Sequence, residues 1–499
     1  MVSGNPLVIL PLLCLTGGAF AVYLIARLLN CRNEQVAALT AGVFFVTLLS
    51  LGALQVEVSA ERLPIWELSG SSDIFLRADP GMVLLAIVAS GLGLLTSLYS
   101  ARYLAHELRY ETYYPLLLLL IAGLVGMLLA ADLFNLYMFC ELMSVSTYVL
   151  VAFRRRTCTA IEAGFKYLIM GSVATIVMLM GVSFIYRERG DLLLPALSNV
   201  QAISSLGVWG RAGLGCFLVG LGLKSGIVPL HTWLPDAYGS APGSISAILS
   251  GVVSKSTLYV LLCICLGFGM PASMLGLLLI GGSVLNMVLG NNLALLQTHT
   301  KRLLAYSSIA QTGYVMFSLG VGLYYTVPEA IQAAFFVLLA HAMMKGLAFL
   351  CAGVCQFRYD ASTTLHLRGM VHTSPLIGVA FGAALAGLAG VPPLAGFVGK
   401  WFVLRGVVFA QDWLGYVGLA IFLLNSLLGL GYYLPLIGSL LSALFHPPPP
   451  EQVCLRLSLW ITLPIVILGG LVIAAGIYPG PWMAWTREVS NYLLGIAAR

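Results

Sequence analysis

Long apolar runs separated by short polar loops fill the chain from end to end. A helix needs about 20 apolar residues to cross the hydrocarbon core of a bilayer, and about fourteen runs reach or approach that length. No segment alternates apolar and polar residues in the manner of a membrane β-barrel strand. The pattern therefore predicts an all-α polytopic membrane protein with about 14 transmembrane helices.

The predicted spans differ mainly in length and in whether proline interrupts them. In chain order they are about Pro6–Leu29, Val36–Leu54, Pro80–Leu98, Pro115–Ala131, Leu133–Phe153, Gly164–Ile185, Ala212–Ala237, Ile245–Phe268, Ala272–Leu289, Leu303–Leu323, Ala330–Val354, Leu376–Phe409, Leu414–Phe445 and Leu459–Ile477. The proline run of the connector His446–Glu451 predicts a stiff link before the last span.

Proline interrupts two of these spans close to a lysine. The seventh holds Lys224 five residues before Pro229, and the twelfth holds Lys400 seven residues after Pro393. Proline cannot donate a hydrogen bond to the carbonyl four residues earlier, and irregular backbone survives in a bilayer only where protein or water surrounds it. Paired interrupted helices predict an inverted repeat with an ion site near the membrane midplane.

Composition supports a membrane protein and excludes several other classes. Hydrophobic residues make up 60% of the 499 residues and charged residues only 9%, against about 25% in average soluble proteins. The net charge of +6 is scattered, so no nucleic-acid partner is expected. The ten cysteines form no C-x-x-C pair, and we predict neither a metal nor a cofactor. The first apolar run lacks a basic leader and is expected to remain as an uncleaved helix.

We expect an integral membrane protein of a prokaryotic cell (inner) membrane. The basic loops predict its orientation in that membrane. Under the fourteen-span alternation, one side collects most of the loop Arg and Lys residues, and the Gln55–Asp79 loop on the other side is rich in acids. Both termini are therefore expected on the outer side. The residues of the basic side are Arg32, Arg102, Arg109, Arg154–Arg156, Lys301, Arg302, Arg358, Arg368 and Arg456.

Lysine is reserved for the apolar part of the chain. Of the 25 basic residues only six are Lys, and five of these lie within or beside apolar runs, whereas nearly every Arg lies in a loop or at a helix end. A desolvated Lys can lose its proton near neutrality, whereas Arg stays charged. This division indicates a protein that moves protons.

Five ionisable residues lie deep in predicted spans: Glu141, Lys224, Lys255, Lys345 and Lys400. One charge at the bilayer centre costs roughly 2.5–3.5 kcal/mol on insertion scales, so mutual pairing or internal water must offset the set. Glu141 and Lys224 are natural partners, because a carboxylate nearby holds the ammonium charged and its withdrawal lets the proton leave.

Further relay candidates follow from position in the spans. His341 and Lys345 share a helix face at i, i+4 between Lys255 and Lys400. His231 lies in the broken segment, where it could admit or release protons. Lys166, near a helix start, is equally compatible with a relay and with snorkelling to the interface.

The remaining charges have plainer interpretations. Asp236 is expected to cap or turn the chain. Asp132 and Lys301 are expected at the interface. Solvated loop groups are expected at Asp79, Glu107 and Glu111.

Six motifs in a fixed order resemble the proton-conducting antiporter-like subunits, which include the L, M and N subunits of respiratory complex I, the large subunits of Mrp antiporters and subunits of membrane-bound hydrogenases. The motifs cover about residues 75–430 and read FNLYMFCELMS, GLKSGIVPLHTWLPDAYGSAP, SAILSGVVSKSTLYVL, TKRLLAYSSIAQTGYV, HAMMKGLAFL and LAGVPPLAGFVGKW. Tyr238 stands where many members carry His.

The resemblance implies two inverted five-helix units with broken helices 7 and 12. Residues 1–110 would hold helices 1–3, residues 111–270 the first unit (helices 4–8), residues 271–445 the second (helices 9–13), and residues 446–499 helix 14 and a tail. It also implies that Glu141 pairs with Lys224, that Lys255 is the central relay and that Lys400 lies at the outlet. His231, His341 and Lys345 would line the hydrated axis.

The function implied is proton translocation, with Na⁺ as the open alternative, within a redox-driven complex whose other membrane subunits are its partners. The chain itself would hold no catalytic redox centre and no cofactor, so whether it counts as an enzyme stays open. The alternatives are an Mrp-type Na⁺/H⁺ antiporter subunit, a quinone-contacting redox subunit and a membrane scaffold.

Overall fold

A computed structural model of the chain describes residues 2–60, 63–68, 74–105, 107, 109–154, 157–194, 206–359, 362–368, 370–442 and 457–497. Helices dominate these residues, and 11 helical segments among them, one being the uninterrupted run Gly243–Gly267, are long and apolar enough to cross a membrane. This confirms the prediction of a mostly helical polytopic fold. Arg155, Arg156, Arg456 and the His446–Glu451 connector lie outside the described residues.

The first half of the chain contains ten helices and a small sheet within the described residues. The helices are α1 (Leu10–Leu28), α2 (Asn33–Ser59), α3 (Pro80–Tyr103), α4 (Tyr110–Leu129), α5 (Leu133–Val151), α6 (Cys158–Arg189), α7 (Val208–Ser225), α8 (Leu234–Ser240), α9 (Gly243–Ile248) and α10 (Ser254–Gly267). A π-helical turn, Leu249–Val253, joins α9 to α10.

The second half contains nine helices within the described residues. They are α11 (Ala272–Leu295), α12 (Thr300–Tyr324), α13 (Pro328–Tyr359), α14 (Met370–Thr373), α15 (Pro375–Ala389), α16 (Ala395–Val408), α17 (Trp413–Leu441), α18 (Leu459–Ile477) and α19 (Gly480–Ala497). A 3-10 turn, Leu365–Leu367, precedes α14.

The sequence did not predict a sheet, and here the all-α expectation needs a correction. Strands β1 (Val2–Gly4), β2 (Ile65–Leu68) and β3 (Ile74–Arg77) form an antiparallel sheet in the order β1-β2-β3. These strands are too short for a pattern of apolar and polar residues to reveal them. We call the end of the bundle that carries them the sheet side, and the other end the far side.

Local chemistry explains where several helices begin and end. The carboxylates of Asp79 and Asp132 accept from the backbone N–H groups of Met82 and Asn135 at 2.8 Å each, which caps α3 and α5. At the breaks of the two interrupted spans, α7 ends at Gly226 with φ 70° and α15 ends at Gly390 with φ 90°. This left-handed conformation is easy only for glycine.

α13 is the central helix of the bundle. Every residue in its most apolar stretch is buried. In the corresponding stretches of α1, α17 and α18 only a third of the residues are buried. Polar side chains on α13 therefore lie among other helices and away from lipid, which is the position expected for functional intramembrane groups.

The C-terminal tail forms a helix that the hydropathy pattern did not reveal. α19 is amphipathic and crosses the sheet side. Glu488 accepts hydrogen bonds from Gln55 and Ser59 at the end of α2, and Ser490 donates to the carbonyl of Pro328 at the start of α13. α19 therefore ties the end of α2 to the start of α13.

Candidate functional site

The break between α7 and α8 places Lys224 inside the bundle. Gly226 turns the chain, and Trp233 donates its indole N–H to the carbonyl of Leu223 at 2.9 Å. A carbonyl near the end of α7 thus finds a side-chain partner in place of the next helical turn. Lys224, only 2% exposed, is left to turn toward α5.

Lys224 binds two hydroxyl groups of α5 and makes no ion pair with Glu141. Its Nζ donates to Ser144 Oγ at 2.5 Å and to Tyr148 OH at 2.9 Å, and it lies 5.4 Å from the centre of the Tyr148 ring. No N–O distance between Lys224 and Glu141 is 4.0 Å or less. The two charges therefore make no direct contact, and their pairing at longer range stays a prediction.

The physical reason is the spacing along α5. Glu141, Ser144 and Tyr148 lie at i, i+3 and i+7 and so share one helix face. The ammonium occupies the hydroxyl end of this face, and the half-buried Glu141 keeps one carboxylate oxygen, Oε2, buried without a hydrogen bond. The Lys224 ammonium and the Glu141 carboxylate thus lie along the same face of α5, where a change of side-chain rotamer could bring them together.

Lys255 lies immediately after the π-helical turn and is 1% exposed. Its Nζ donates to the carbonyl of Ser250 and to Ser254 Oγ, both at 3.1 Å. A π-helical turn shifts the backbone pairing by one residue, which leaves room for a side chain to use a carbonyl. All of its protein acceptors are neutral oxygens.

Two backbone carbonyls and two serine hydroxyl groups lie between Lys255 and Lys345. Ser250, whose carbonyl accepts from Lys255, shares a hydroxyl–hydroxyl bond of 2.7 Å with Ser308 of α12. Ser308 donates to the carbonyl of Leu304 at 2.8 Å, and Lys345 of α13 donates to that same carbonyl at 2.7 Å. Lys345 also donates to Ser307 Oγ at 2.5 Å. We call Ser250, Ser308 and Leu304 the serine bridge.

His341 lies beside this bridge without using it. It is fully buried one turn before Lys345 on α13, within electrostatic reach of both Lys255 and Lys345. Neither ring nitrogen has a hydrogen-bond partner. An unpaired buried imidazole between two lysines can accept a proton from either, and a proton on one of these groups disfavours a proton on its neighbour.

Lys400 lies at the second break, between α15 and α16. Its Nζ donates to the carbonyl of Ala389 at 2.8 Å and to Ser426 Oγ of α17 at 2.7 Å. It also lies 5.7 Å from the centre of the Tyr314 ring. Ala389 is the last residue of α15, so this lysine itself satisfies a carbonyl at the broken end.

The structure separates Lys166 from these lysines. Its side chain is half exposed on the far side and pairs with Glu162 at 2.7 Å and Asp236 at 3.4 Å, while Arg302 pairs with Asp236 at 3.2 Å. Asp236 therefore bridges two cations rather than merely capping a turn. These side chains line a cavity of about 260 Å³ together with His299. Burial lowers the pKa of the His299 imidazole, and the charges of Lys301 and Arg302 lower it further.

His231 belongs to the first of the two breaks. It is half buried in the turn between α7 and α8, and its Nδ1 has no hydrogen-bond partner. The position is compatible with the predicted exchange of protons near the break.

Besides Asp132, which is 6% exposed, two further charges placed by sequence at the interface or in solvent are buried. Lys301 is 2% exposed and donates to the carbonyl of Ala241 at the end of α8 and to Gln356. Asp79 is fully buried beneath the sheet. Both errors have one cause, since each residue lies at a predicted helix end that other elements cover. No group of three or more His, Cys, Asp or Glu among the described residues is arranged to bind a metal.

Comparison with known proteins places this geometry in a family. Residues 130–429 match the sequence model of the family described as "NADH:quinone oxidoreductase/Mrp antiporter, TM". The NADH-quinone oxidoreductase subunit N of Desulforamulus reducens is 32% identical over 400 residues, covering 80% of this chain and 81% of that protein. The F(420)H(2) dehydrogenase subunit N of Methanosarcina mazei is 29% identical over 473 residues, covering 91% of each.

Solved structures share the fold across nearly the whole chain. A chain of the membrane-bound sulfane sulfur reductase, an archaeal respiratory membrane complex, superimposes with a TM-score of 0.88 at 25% identity and 99% coverage of both chains. A chain of respiratory complex I from Thermus thermophilus gives 0.74 at 28% identity, covering 95% of this chain and 99% of that one. The matched segment includes Glu141 and all six lysines, and this chain belongs to the family of membrane subunits that NADH:quinone oxidoreductases and Mrp antiporters share.

Proposed function

We propose that this chain is an antiporter-like subunit of a redox-driven membrane complex of the NADH:quinone oxidoreductase type, and that it translocates protons. The observation that carries the proposal is the serine bridge, whose hydroxyl groups and carbonyls lie between two buried lysines, Lys255 and Lys345, with no carboxylate among them. Intramembrane lysines arranged in this way suit a proton relay better than a structural ion pair, which would need a carboxylate.

The relay would run through both halves of the chain. Lys224 holds a proton against Ser144 and Tyr148, and the approach or withdrawal of Glu141 sets how firmly. Lys255 passes a proton to His341 or, once the two lysines turn from the carbonyls of the serine bridge to its hydroxyl groups, to Lys345. Lys400 is the last lysine before release, and His231 serves uptake at the first break. Lys166 would act only at the surface of the far-side cavity.

Topology completes the proposal. The elements α12, the broken pair α7/α8 and the broken pair α15/α16 would add three spans to the 11 helices that are clearly apolar enough to cross a membrane, which reproduces the fourteen predicted. The inverted five-helix units would then be residues 111–270 and 271–445. The sheet side would face outward and carry both termini, and the chain would reside in a prokaryotic inner membrane beside other membrane subunits.

The test is proton pumping by the assembled complex in inverted membrane vesicles, with NADH as electron donor and NADH oxidation recorded in parallel. We expect Glu141→Gln and Lys224→Met each to lower the number of protons moved per NADH oxidised. Lys166→Met serves as the matched control, because it removes a lysine that is exposed. An unchanged ratio in the first two variants would contradict the relay. Assembled wild-type complex that oxidises no NADH would contradict the partner assigned to it.

An Mrp-type Na⁺/H⁺ antiporter subunit is the second candidate, since the family description includes the Mrp antiporter. A chain of the Mrp complex from Dietzia sp. shares the fold with a TM-score of 0.83 at 22% identity. Omitting Na⁺ from the vesicles decides between the two. Acidification that persists supports proton translocation alone, whereas acidification that requires Na⁺ favours antiport. A quinone-contacting subunit or a scaffold would leave the lysine variants without effect on the ratio.

A further inference from the structure

A cavity that the relay does not use lies on the sheet side, where α13, α16 and α19 meet. Its volume is about 340 Å³, which falls within the range of about 300–1,000 Å³ that small-molecule sites occupy. Gln332 of α13 donates to the carbonyl of Met483 at 2.7 Å, and Ser490 of α19 donates to the carbonyl of Pro328 at 2.8 Å. These two bonds fix α19 to the start of α13, so two walls of the cavity are held in place.

Each of the three helices contributes one charged side chain to the cavity. Glu329 comes from α13, Arg405 from α16 and Arg487 from α19. Among the described residues, no carboxylate oxygen lies within 4.0 Å of a nitrogen of either guanidinium. The Arg405 guanidinium lies 5.8 Å from the centre of the ring of Phe409, four residues later in the chain. Two cations and one anion therefore share the cavity without pairing to one another.

An apolar stripe on α16 leads from the middle of the bundle to this cavity. Phe397, Trp401 and Arg405 follow one another at intervals of four residues, so they lie along one side of the helix. The rings of Phe397 and Trp401 stack with their centres 6.5 Å apart, and both are exposed. Eight residues of helix rise about 12 Å, which is close to half of the hydrocarbon core of about 30 Å. The stripe therefore matches the acyl chains of one leaflet, with Arg405 at its headgroup end.

α19 has the features of a helix that lies at the membrane surface. It is amphipathic, and it carries Trp482 and Trp485 with ring centres 6.1 Å apart. Amphipathic helices bury their apolar face at the boundary between headgroups and acyl chains, and Trp is enriched at that level. Arg487 belongs to the same helix, so both guanidinium groups of the cavity lie at the level of lipid phosphates.

We propose that this cavity binds the headgroup of an aminophospholipid of the sheet-side leaflet. The phosphodiester accepts hydrogen bonds from Arg405 and Arg487, because a guanidinium fork matches the spacing of phosphate oxygens. The ammonium pairs with Glu329, which a headgroup with a phosphate alone would leave facing a second anion. The acyl chains lie along Phe397 and Trp401. The site does not depend on proton translocation, since none of its three charges belongs to the relay.

The test counts the lipids bound by the purified complex that contains this chain. The complex is delipidated, titrated with phosphatidylethanolamine in mixed micelles and examined by native mass spectrometry. We expect the double variant Arg405→Gln/Arg487→Gln to bind one lipid fewer per complex, with an affinity for that lipid at least about tenfold weaker than that of wild type. Equal binding by the double variant and wild type would overturn the site.

Arg187→Gln is the matched control. It removes an exposed guanidinium in the last turn of α6, near the sheet and over the ring of Trp209 at 4.6 Å, outside this cavity. This variant should bind phosphatidylethanolamine as wild type does. Added phosphatidylethanolamine should raise the thermal midpoint of wild type and Arg187→Gln more than that of the double variant. An equal rise in all three would also overturn the site.

Headgroup selectivity identifies the occupant. Wild type should bind phosphatidylethanolamine about tenfold more tightly than phosphatidylglycerol, and Glu329→Gln should remove this preference. Equal affinity of wild type for the two lipids would overturn the aminophospholipid as the occupant. Glycerophosphoethanolamine has the same headgroup without acyl chains and should not displace the lipid at equal concentration. Full displacement would overturn a lipid site in favour of a soluble phosphate ester.

Discussion

The two steps that lead away from Lys255 toward the other buried lysines of the described chain are built differently. Toward Lys345 the path is the serine bridge, made of hydroxyl groups and a carbonyl at hydrogen-bond distance. Toward Lys224 the path is aromatic and comprises the rings of Tyr148, Tyr167, Trp233 and Tyr238, with neighbouring ring centres 4.3–6.1 Å apart.

This difference shows which of the two steps of the proposed relay contains groups that can carry a proton. The hydroxyl groups of Ser250 and Ser308 both accept and donate, whereas the carbonyls of Ser250 and Leu304 only accept, so a proton can move along the serine bridge only after the two lysines turn from the carbonyls to the hydroxyl groups. These ring contacts, of which only Tyr167–Trp233 is stacked, provide no continuous set of donors and acceptors, so movement from Lys224 to Lys255 needs water or a side-chain rotation. We therefore propose that the gate of the relay lies in the first half of the chain, beside Glu141.

The largest effect is expected from breaking the serine bridge. Ser250→Ala or Ser308→Ala leaves a buried hydroxyl partner unsatisfied, which costs about 1–3 kcal/mol, and should lower the protons moved per NADH by about tenfold. Because both variants remove the same bond, the double variant should be little worse than either single one. Effects that multiply would show that the two hydroxyl groups act separately.

An intermediate effect is expected at the first break. Trp233→Phe keeps an aromatic ring but removes the donor to the carbonyl of Leu223, so we expect a loss of about 1–3 kcal/mol in stability and slower pumping. Thermal unfolding of the purified complex measures the first and vesicle acidification the second. Tyr238→Phe loses a different bond, to the carbonyl of Leu249, and should leave the thermal stability of the α7–α8 break unchanged. Equal losses in both variants would argue against a specific role for the indole N–H.

A smaller effect is expected at Tyr148. Tyr148→Phe removes one of the two hydroxyl acceptors of Lys224 and retains the ring, so pumping should fall by about threefold to tenfold. Tyr167→Phe, the neighbouring ring in the stack, should have less effect, because its ring still packs on Trp233 at 4.3 Å. A larger loss of pumping in Tyr167→Phe than in Tyr148→Phe would contradict a gate beside Glu141.

The smallest effect is expected from Lys166→Met. An exposed ion pair contributes about 0–1 kcal/mol, and this lysine lies on the far side, apart from the buried lysines. Pumping and thermal stability should both stay close to wild type. A severe loss of pumping would mean that the far-side cavity takes part in proton uptake.

Sequence alone predicted the elements that hydropathy and proline control. Apolar runs, isolated charges and motif order predicted the membrane fold, both breaks and the family. They also predicted that Lys224, Lys255, His341 and Lys345 are buried. The sequence could not distinguish a buried helix end from an exposed one, because what covers Asp79 and Lys301 comes from distant parts of the chain. It also missed the π-helical turn before Lys255, since that turn has no characteristic spacing of residues.

The choice of two hydroxyl groups as the direct partners of Lys224 has the same origin. Sequence indicates which charges must find partners, but the rotamers that decide between a carboxylate and two hydroxyl groups depend on how α5 faces α7. α19 escaped prediction for a different reason, because only one face of this helix is apolar and a window of mean hydropathy averages that face away.

The most direct test of proton relay through the centre of the bundle is Lys255→Arg, measured as protons moved per NADH oxidised in inverted vesicles. Arginine keeps the positive charge but does not release a proton at any accessible pH. We expect a fully assembled complex whose ratio falls by about tenfold or more, with the serine bridge intact but without a proton to carry. A ratio equal to that of wild type would show that a fixed charge at this position is sufficient, and it would contradict the relay.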